Sequence, residues 1–331
     1  MNGAIFYENK KTTLQSWDKT LHIQQPRGLA YKQGDYLIHI YGKAERLWVI
    51  SPGLTASQKT EMNVQDWAIQ VFGAEEILPA KNLPGEVTSG VWRPGLYFQS
   101  ELQQALNINE HDQRAAEQIL KILLDKLDEL FLYIEPDQMG LNAYSHKTRE
   151  LLLLACTEIE NAWRQYMYLA NLSPSRKDYT TNDYVKLCQP LFLSQYEVKL
   201  KPYKDVQSIM PFYDWSPTKP TESLSWYDSY NKTKHDRTEY FGEATLWNCI
   251  QAITANIVLF CVRYSPFSLF QSGTTLSALM NQLFEVNLIS PNPATFYIPK
   301  VKFSDKDRPA GLVCGEAKQF IVPWKINPLK L

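Results

Sequence analysis

Residues 250–262 carry no charged side chain, and the apolar helix that holds this run begins near Phe241. No other feature constrains the fold as strongly. The run is too short to span a bilayer, and it includes Gln251, Thr254 and Asn256, so it reads as an interior helix. Such a helix needs partners, and the sequence upstream supplies them. Ala116, Ile119, Leu120, Leu123, Leu127, Leu130, Phe131 and Ile134 follow helical spacing, with Asp112 as the expected N-cap and Pro136 as the stop. A second helix is expected over about 145–171, closed by Ser173-Pro174-Ser175. A third, shorter one covers 182–188, before Pro190. The fourth spans about 224–264, long enough that a break near Tyr230 or Gly242 is expected.

The flanks differ in character. Residues 36–41 (YLIHIY) and 46–50 (RLWVI) are β-prone runs joined by Gly42-Lys43-Ala44-Glu45, the pattern of a hairpin, with Ser51-Pro52-Gly53 as a stop. A helix is expected near 64–71. The polar stretch 197–216 suits a strand or an extended crossover. Beyond 265 come a helix over 274–284 and β-prone pieces at 295–298 and 320–322, expected to pack on the N-terminal β region. The fold class is therefore α+β: a β-rich region 1–110, a helical bundle 111–265 and a C-terminal extension 266–331.

With 331 residues the chain is long enough for two domains, and its net charge of −1 gives no whole-protein attraction to nucleic acid. Any such contact needs a local basic patch. Cys156, Cys249 and Cys261 lie in apolar helical stretches and read as buried thiols, which favours a reducing compartment. Neither the five cysteines nor the five histidines show metal-ligand spacing. The first residues lack the apolar core of a signal peptide, and the chain reads as cytoplasmic with no membrane partner.

Chemistry concentrates in Tyr230-Asn231-Lys232-Thr233-Lys234-His235-Asp236-Arg237. On a helix Asn231 and His235 share a face, and Lys232 lies about 60° round from His235. Arg237 projects to nearly the opposite side. A histidine titrating at about 6.5 serves as general acid or base, an amide orients an oxygen, and a cation holds phosphate. The set suits a phosphodiester or nucleotide. A solvated helix face is the plainer alternative.

Helices followed by a helix opening in Tyr-Asn-x-x-Lys-His-x-Arg resemble the HEPN superfamily of four-helix bundles, in particular a bacterial branch with a similar YNxxKHxR stretch. The likeness covers about 112–265. In HEPN ribonucleases the motif is an Arg, a polar residue, three further residues and a His. The polar residue maps onto Asn231 and the His onto His235, but the Arg position is Tyr230. The resemblance implies either of two functions. One is a non-catalytic module binding RNA, a nucleotide or a cognate protein. The other is a metal-independent endoribonuclease of a toxin–antitoxin or phage-defence system, with His235 as general acid/base, Asn231 orienting the phosphate or 2′-hydroxyl, and Lys232 and Lys234 stabilising negative charge. Tyr230, Lys234, Arg237 and Glu158 are the expected substrate-binding groups, and Glu158 is expected to contact His235 or Lys234. No cofactor or metal is implied. A homodimer through the bundle would bring two motifs to one cleft: a basic cleft lined by both copies of Lys232 and Lys234 would argue for nucleic acid, and a cleft closed by Tyr230 and Trp226 for a purely structural role.

Overall fold

The computed structural model describes residues 3–13, 18–96, 99–302 and 322–331. In chain order its elements are β1 (Ile5–Glu8), α1 (Leu21–Gln24), β2 (Arg27–Gln33), β3 (Tyr36–Ala44), β4 (Trp48–Lys59), α2 (Val64–Phe72), β5 (Glu75–Pro79), β6 (Glu86–Thr88) and α3 (Gln99–Ala105). Then come α4 (Glu110–Phe131), α5 (His146–Leu169), α6 (Thr181–Tyr184), β7 (Tyr196–Leu200), α7 (Ser225–His235) and α8 (Arg237–Tyr240). The last are α9 (Leu246–Tyr264), α10 (Pro266–Phe270), α11 (Thr275–Leu283), β8 (Phe284–Leu288) and β9 (Lys325–Asn327). The fold is mixed α+β. Two compact units divide it, where the sequence suggested three regions. One takes the described residues of 1–88, 92–107 and 290–327, the other those of 89–91, 108–289 and 328–331.

The first unit is built on an antiparallel sheet in the order β4-β3-β2-β1-β5. Both faces are covered, so its strands alternate between two cores. Phe6, Leu29, Tyr31, Ile38 and Ile40 meet Phe296, Ile298 and Val301 on one side. Tyr7, Ala30, Leu37 and Tyr41 meet Trp67, Ala68 and Phe72 of α2 on the other. Double coverage explains why 36–41 is apolar almost without interruption. The only interruption, His39, is fully buried and stacks 3.7 Å from Phe72. Its Nδ1 lies 2.5 Å from the Tyr7 hydroxyl. Burial pushes the His39 pKa well below the ordinary value, so the ring is neutral.

The hairpin β3–β4 forms, with Ala44 opposite Trp48. Ser51-Pro52-Gly53 does not stop β4, contrary to expectation. The register jumps from Ile40↔Thr55 to Tyr41↔Ser51, so the intervening residues of β4 bulge out and the strand resumes. A proline is tolerated there because bulged backbone owes no ladder hydrogen bond. The C-terminal segment reaches the same unit. Phe296 to Ile298 are buried but form no strand, and Pro293–Thr295 is a 3₁₀ turn. β9 pairs in parallel with β6, Val87 opposite Ile326. Of the β-prone piece at 320–322, Phe320 and Ile321 lie outside the described residues, as does Cys314.

The second unit is organised by α9, against which α4, α5 and α7 pack, with α5 also touching α4 and α7. By length and composition α9 could cross a membrane, but 78% of it is buried inside the protein, as in a core helix. Local signals set the helix starts. Asn109, rather than Asp112, caps α4, its Oδ1 accepting from the His111 and Asp112 amides. Ser145 and Thr148 form a capping box on α5. The expected helix over 224–264 is broken at Asp236 (φ −134°, ψ 90°) and again through the 3₁₀ turn Phe241–Glu243. The expected helix 182–188 is only α6 followed by a 3₁₀ turn. β7 and β8 form an antiparallel ribbon, which keeps residues up to 289 with the helices. Cys156, Cys249 and Cys261 are buried free thiols, their pKa values raised by burial.

Candidate functional site

The octapeptide occupies the last turns of α7 and the start of α8. Trp226, Tyr227, Ser229, Tyr230 and Thr233 form the buried face of α7. This face packs on an aromatic cluster in which Trp163 stacks 4.9 Å from Trp215 and lies 5.2 Å from Tyr227. The Trp226 indole donates to the Pro211 carbonyl at 3.0 Å. Both Tyr230 and Trp226 are 1% exposed, so the motif's first residue points inward.

Most of the motif's polar groups are already engaged. Lys234 Nζ donates to the Tyr230 hydroxyl at 2.8 Å. That bond, with the negative charge of Glu160 behind it, raises the Lys234 pKa above the ordinary value. Asn231 Nδ2 donates back to the Tyr227 carbonyl at 3.0 Å, within its own helix. Lys232 pairs with Asp228 at 2.8 Å and approaches Glu243 at 3.8 Å, and the Asp228 hydrogen bond raises its pKa. Thr233 bonds the Ser229 carbonyl, while its own carbonyl accepts from Arg149 Nη2 at 2.9 Å.

Asp236 ends α7 and starts α8, its Oδ1 accepting from the Thr238 and Glu239 amides at 3.0 and 3.1 Å. At this elbow His235 and Arg237 are exposed. The His235 ring has no hydrogen bond to a described residue. The Arg237 guanidinium makes no ion pair with one and lies 5.8 Å from the Phe241 ring. Cations in the last turn of α7 also complement the negative end of its dipole, which is the structural reason to find them there.

Glu158 is not part of this arrangement. The expected contact with His235 or Lys234 is replaced by Glu160, whose Oε1 accepts from the Tyr227 hydroxyl at 2.8 Å. Burial, then Glu160, raises the Tyr227 pKa. Helical arithmetic distinguishes the two acids. Glu160 stands four residues after Cys156 and three before Trp163, both fully buried, so it faces the α7 side of the core. Glu158 is nearly opposite on α5. There it lines a cavity of about 510 Å³ between α4, α5 and α9, open to solvent at its rim, where His111, Asp112, Gln165 and Tyr168 are exposed. The sequence held this signal, in the spacing from Cys156 to Trp163.

Among the described residues no group of three or more His, Cys, Asp or Glu side chains is placed to hold a metal ion. The structure leaves His235, Arg237 and Lys234 exposed in the residues that flank the elbow, with Lys234 reaching back to Tyr230 and Arg237 beside Phe241; it withdraws Tyr230 and Asn231, neutralises Lys232, and sends Glu158 elsewhere. Comparison of the chain with family models, with curated proteins and with solved structures gives no match.

Proposed function

We infer that the helical unit is a non-catalytic binding module of HEPN type that takes RNA or a nucleotide through phosphate contacts at the α7–α8 elbow. One observation carries this reading: Tyr230 is buried under Lys234 while Asn231 spends its amide on the Tyr227 carbonyl. A ribonuclease needs those two positions to grip and polarise a phosphate beside the histidine. What remains outside is a set of donors, His235, Arg237 and the Lys234 ammonium, which hold a phosphate without a second fixed group to activate it. With Arg237 and Lys234 each neutralising one phosphate, log K against log salt falls with a slope of about −1.4 for a single strand.

The ribonuclease reading has one observation in its favour. His235 is exposed and makes no hydrogen bond to a described residue, so the elbow of a second copy could complete a site with it. Purified protein, wild type beside His235→Ala and Arg237→Ala, is incubated with mixed RNA in EDTA and also titrated with labelled single-stranded RNA. Salt-dependent binding weakened in both variants, without cleavage, is the expected result. Cleavage leaving 2′,3′-cyclic phosphate ends, lost in His235→Ala, would replace the binding reading with the enzymatic one. Neither binding nor cleavage would sink both.

A further inference from the structure

We propose that the cavity between α4, α5 and α9 is a binding site for a small organic amine, with the ammonium on Glu158 and an apolar body among Tyr166, Phe260 and Tyr264. At about 510 Å³ the cavity has the volume of a small-molecule site. It lies wholly within the helical unit. Small residues hold it open: Ala115 and Ala116 of α4 and Ala162 of α5 line it and are only half-buried, although they sit on long packed helices.

The polar lining selects the ligand's charge. Glu158 has a single hydrogen-bond partner among the described residues, Asn161 Nδ2 at 3.3 Å, and no cation within ion-pair distance. A half-buried carboxylate in that state has acceptor capacity to spare. Asn256 adds to it. Its Nδ2 donates to the Ala155 carbonyl at 3.0 Å and the Ala252 carbonyl at 2.9 Å, which leaves only its carbonyl oxygen to offer. Ala155 is one turn before Glu158 on α5, so both acceptors belong to the same end of the cavity. A group with several N–H donors and a positive charge satisfies that end, and an ammonium is the smallest such group. The aromatic rings beyond it suit the cation and its apolar stem alike.

The other charged residues in the lining are His111, Asp112 and Arg263. Arg263 lies about 10 Å farther along α9 than Asn256, by helical rise. It sits beside the Tyr264 ring, in a region that Asp112 also lines. Charge there is mixed, whereas the nearest cation linked to Glu158 is Arg164, which bonds the other side of the Asn161 amide at 3.5 Å and makes no ion pair with Glu158. An anionic ligand seated on Arg263 is the competing arrangement, and the probes below separate the two.

The full chain is titrated calorimetrically at pH 7 with three probes of one shape: 4-phenylbutylamine, 4-phenylbutanol and 4-phenylbutyrate. Glu158→Gln and Ala162→Trp are titrated alongside, with cooperative melting as the check on folding. The amine is expected to bind saturably and more tightly than the alcohol, and the butyrate least. Glu158→Gln, isosteric and half-exposed, is expected to weaken the amine about tenfold or more while leaving the alcohol unchanged. Ala162→Trp is expected to abolish binding of all three. Butyrate or alcohol binding as tightly as the amine, undiminished amine affinity in Glu158→Gln, or no saturable amine binding at all would each overturn the proposal. The glutamine variant decides the matter if the tryptophan variant fails to fold. RNA binding is not a readout here, so this site and the α7–α8 elbow stand or fall separately.

Discussion

Placing an arginine at position 230, as the HEPN ribonuclease pattern has it, is the sharpest test of the part that position plays. A Tyr230→Arg variant would match the ribonuclease pattern in sequence, yet the side chain there is 1% exposed. The substitution removes a buried aromatic ring worth roughly 1.5–3 kcal/mol, with about 0.5–1.5 kcal/mol more for its contact with Tyr227 at 5.5 Å. The arginine stem recovers part of this burial. Its guanidinium then competes with the Lys234 ammonium for the charge of Glu160, and an inadequately paired buried charge costs about 3–5 kcal/mol. A net loss of about 4 kcal/mol is expected, against the 5–15 kcal/mol of an ordinary domain. Urea unfolding reads it directly, as a midpoint shift of about 2 M at an m-value near 2 kcal/mol/M. The control is Tyr230→Phe, which keeps the ring and gives up only the hydroxyl's interactions with Lys234 and Thr157. That ammonium is free to turn to water, so the control should cost no more than about 1 kcal/mol. A midpoint for Tyr230→Arg within about 0.5 M of wild type, or a phenylalanine variant as unstable as the arginine one, would refute the buried role of this position.

Two further predictions concern other parts of the chain. His39 has a folded-state pKa below its unfolded one, because burial disfavours the imidazolium. Below about pH 6.5 the unfolded chain therefore takes a proton that the folded one refuses, and stability falls by about 1.4 kcal/mol per pH unit until folded His39 itself titrates. Urea midpoints from pH 7.5 to 5 should show this slope, and His39→Phe should flatten it while lowering stability throughout by leaving the Tyr7 hydroxyl unpaired. Asp236→Ala should cost about 1 kcal/mol by removing the cap of α8, with Asp236→Asn recovering most of it, as judged by thermal melts.

Helix identity was the most legible part of the sequence. The heptad-like apolar positions of α4 and α5 and the uncharged run of α9 face a common interior, as their periodicity requires. Boundaries were less legible because a local competitor won at each. Asn109 outbid Asp112 as a cap, since the helix could begin one turn earlier. Asp236 broke α7 because its carboxylate caps α8 more favourably than it extends a helix. The bulge in β4 hid behind a proline and a glycine, residues that more often end strands than bend them. At the candidate site, helical phase placed Asn231 and His235 on one side of α7 but said nothing about what α7 would meet. Glu160 and Tyr227 met Tyr230 there, and long-range packing of that kind leaves only a weak trace in residue spacing.

The pairing of β6 with β9 has a consequence for how the chain is made. Residues 86–88 must wait for 325–327, so the sheet-bearing unit cannot be completed until residue 327 has been synthesised. The helical unit has nearly all of its sequence by residue 289, so it can condense first. Once folded, it replaces a floppy excursion of some two hundred residues with a compact insert, and the entropy lost in joining the distant strands falls accordingly. Vectorial synthesis would thus make the inserted helices a folding aid for the β6–β9 pairing, and the late-arriving strand the step that completes the first unit.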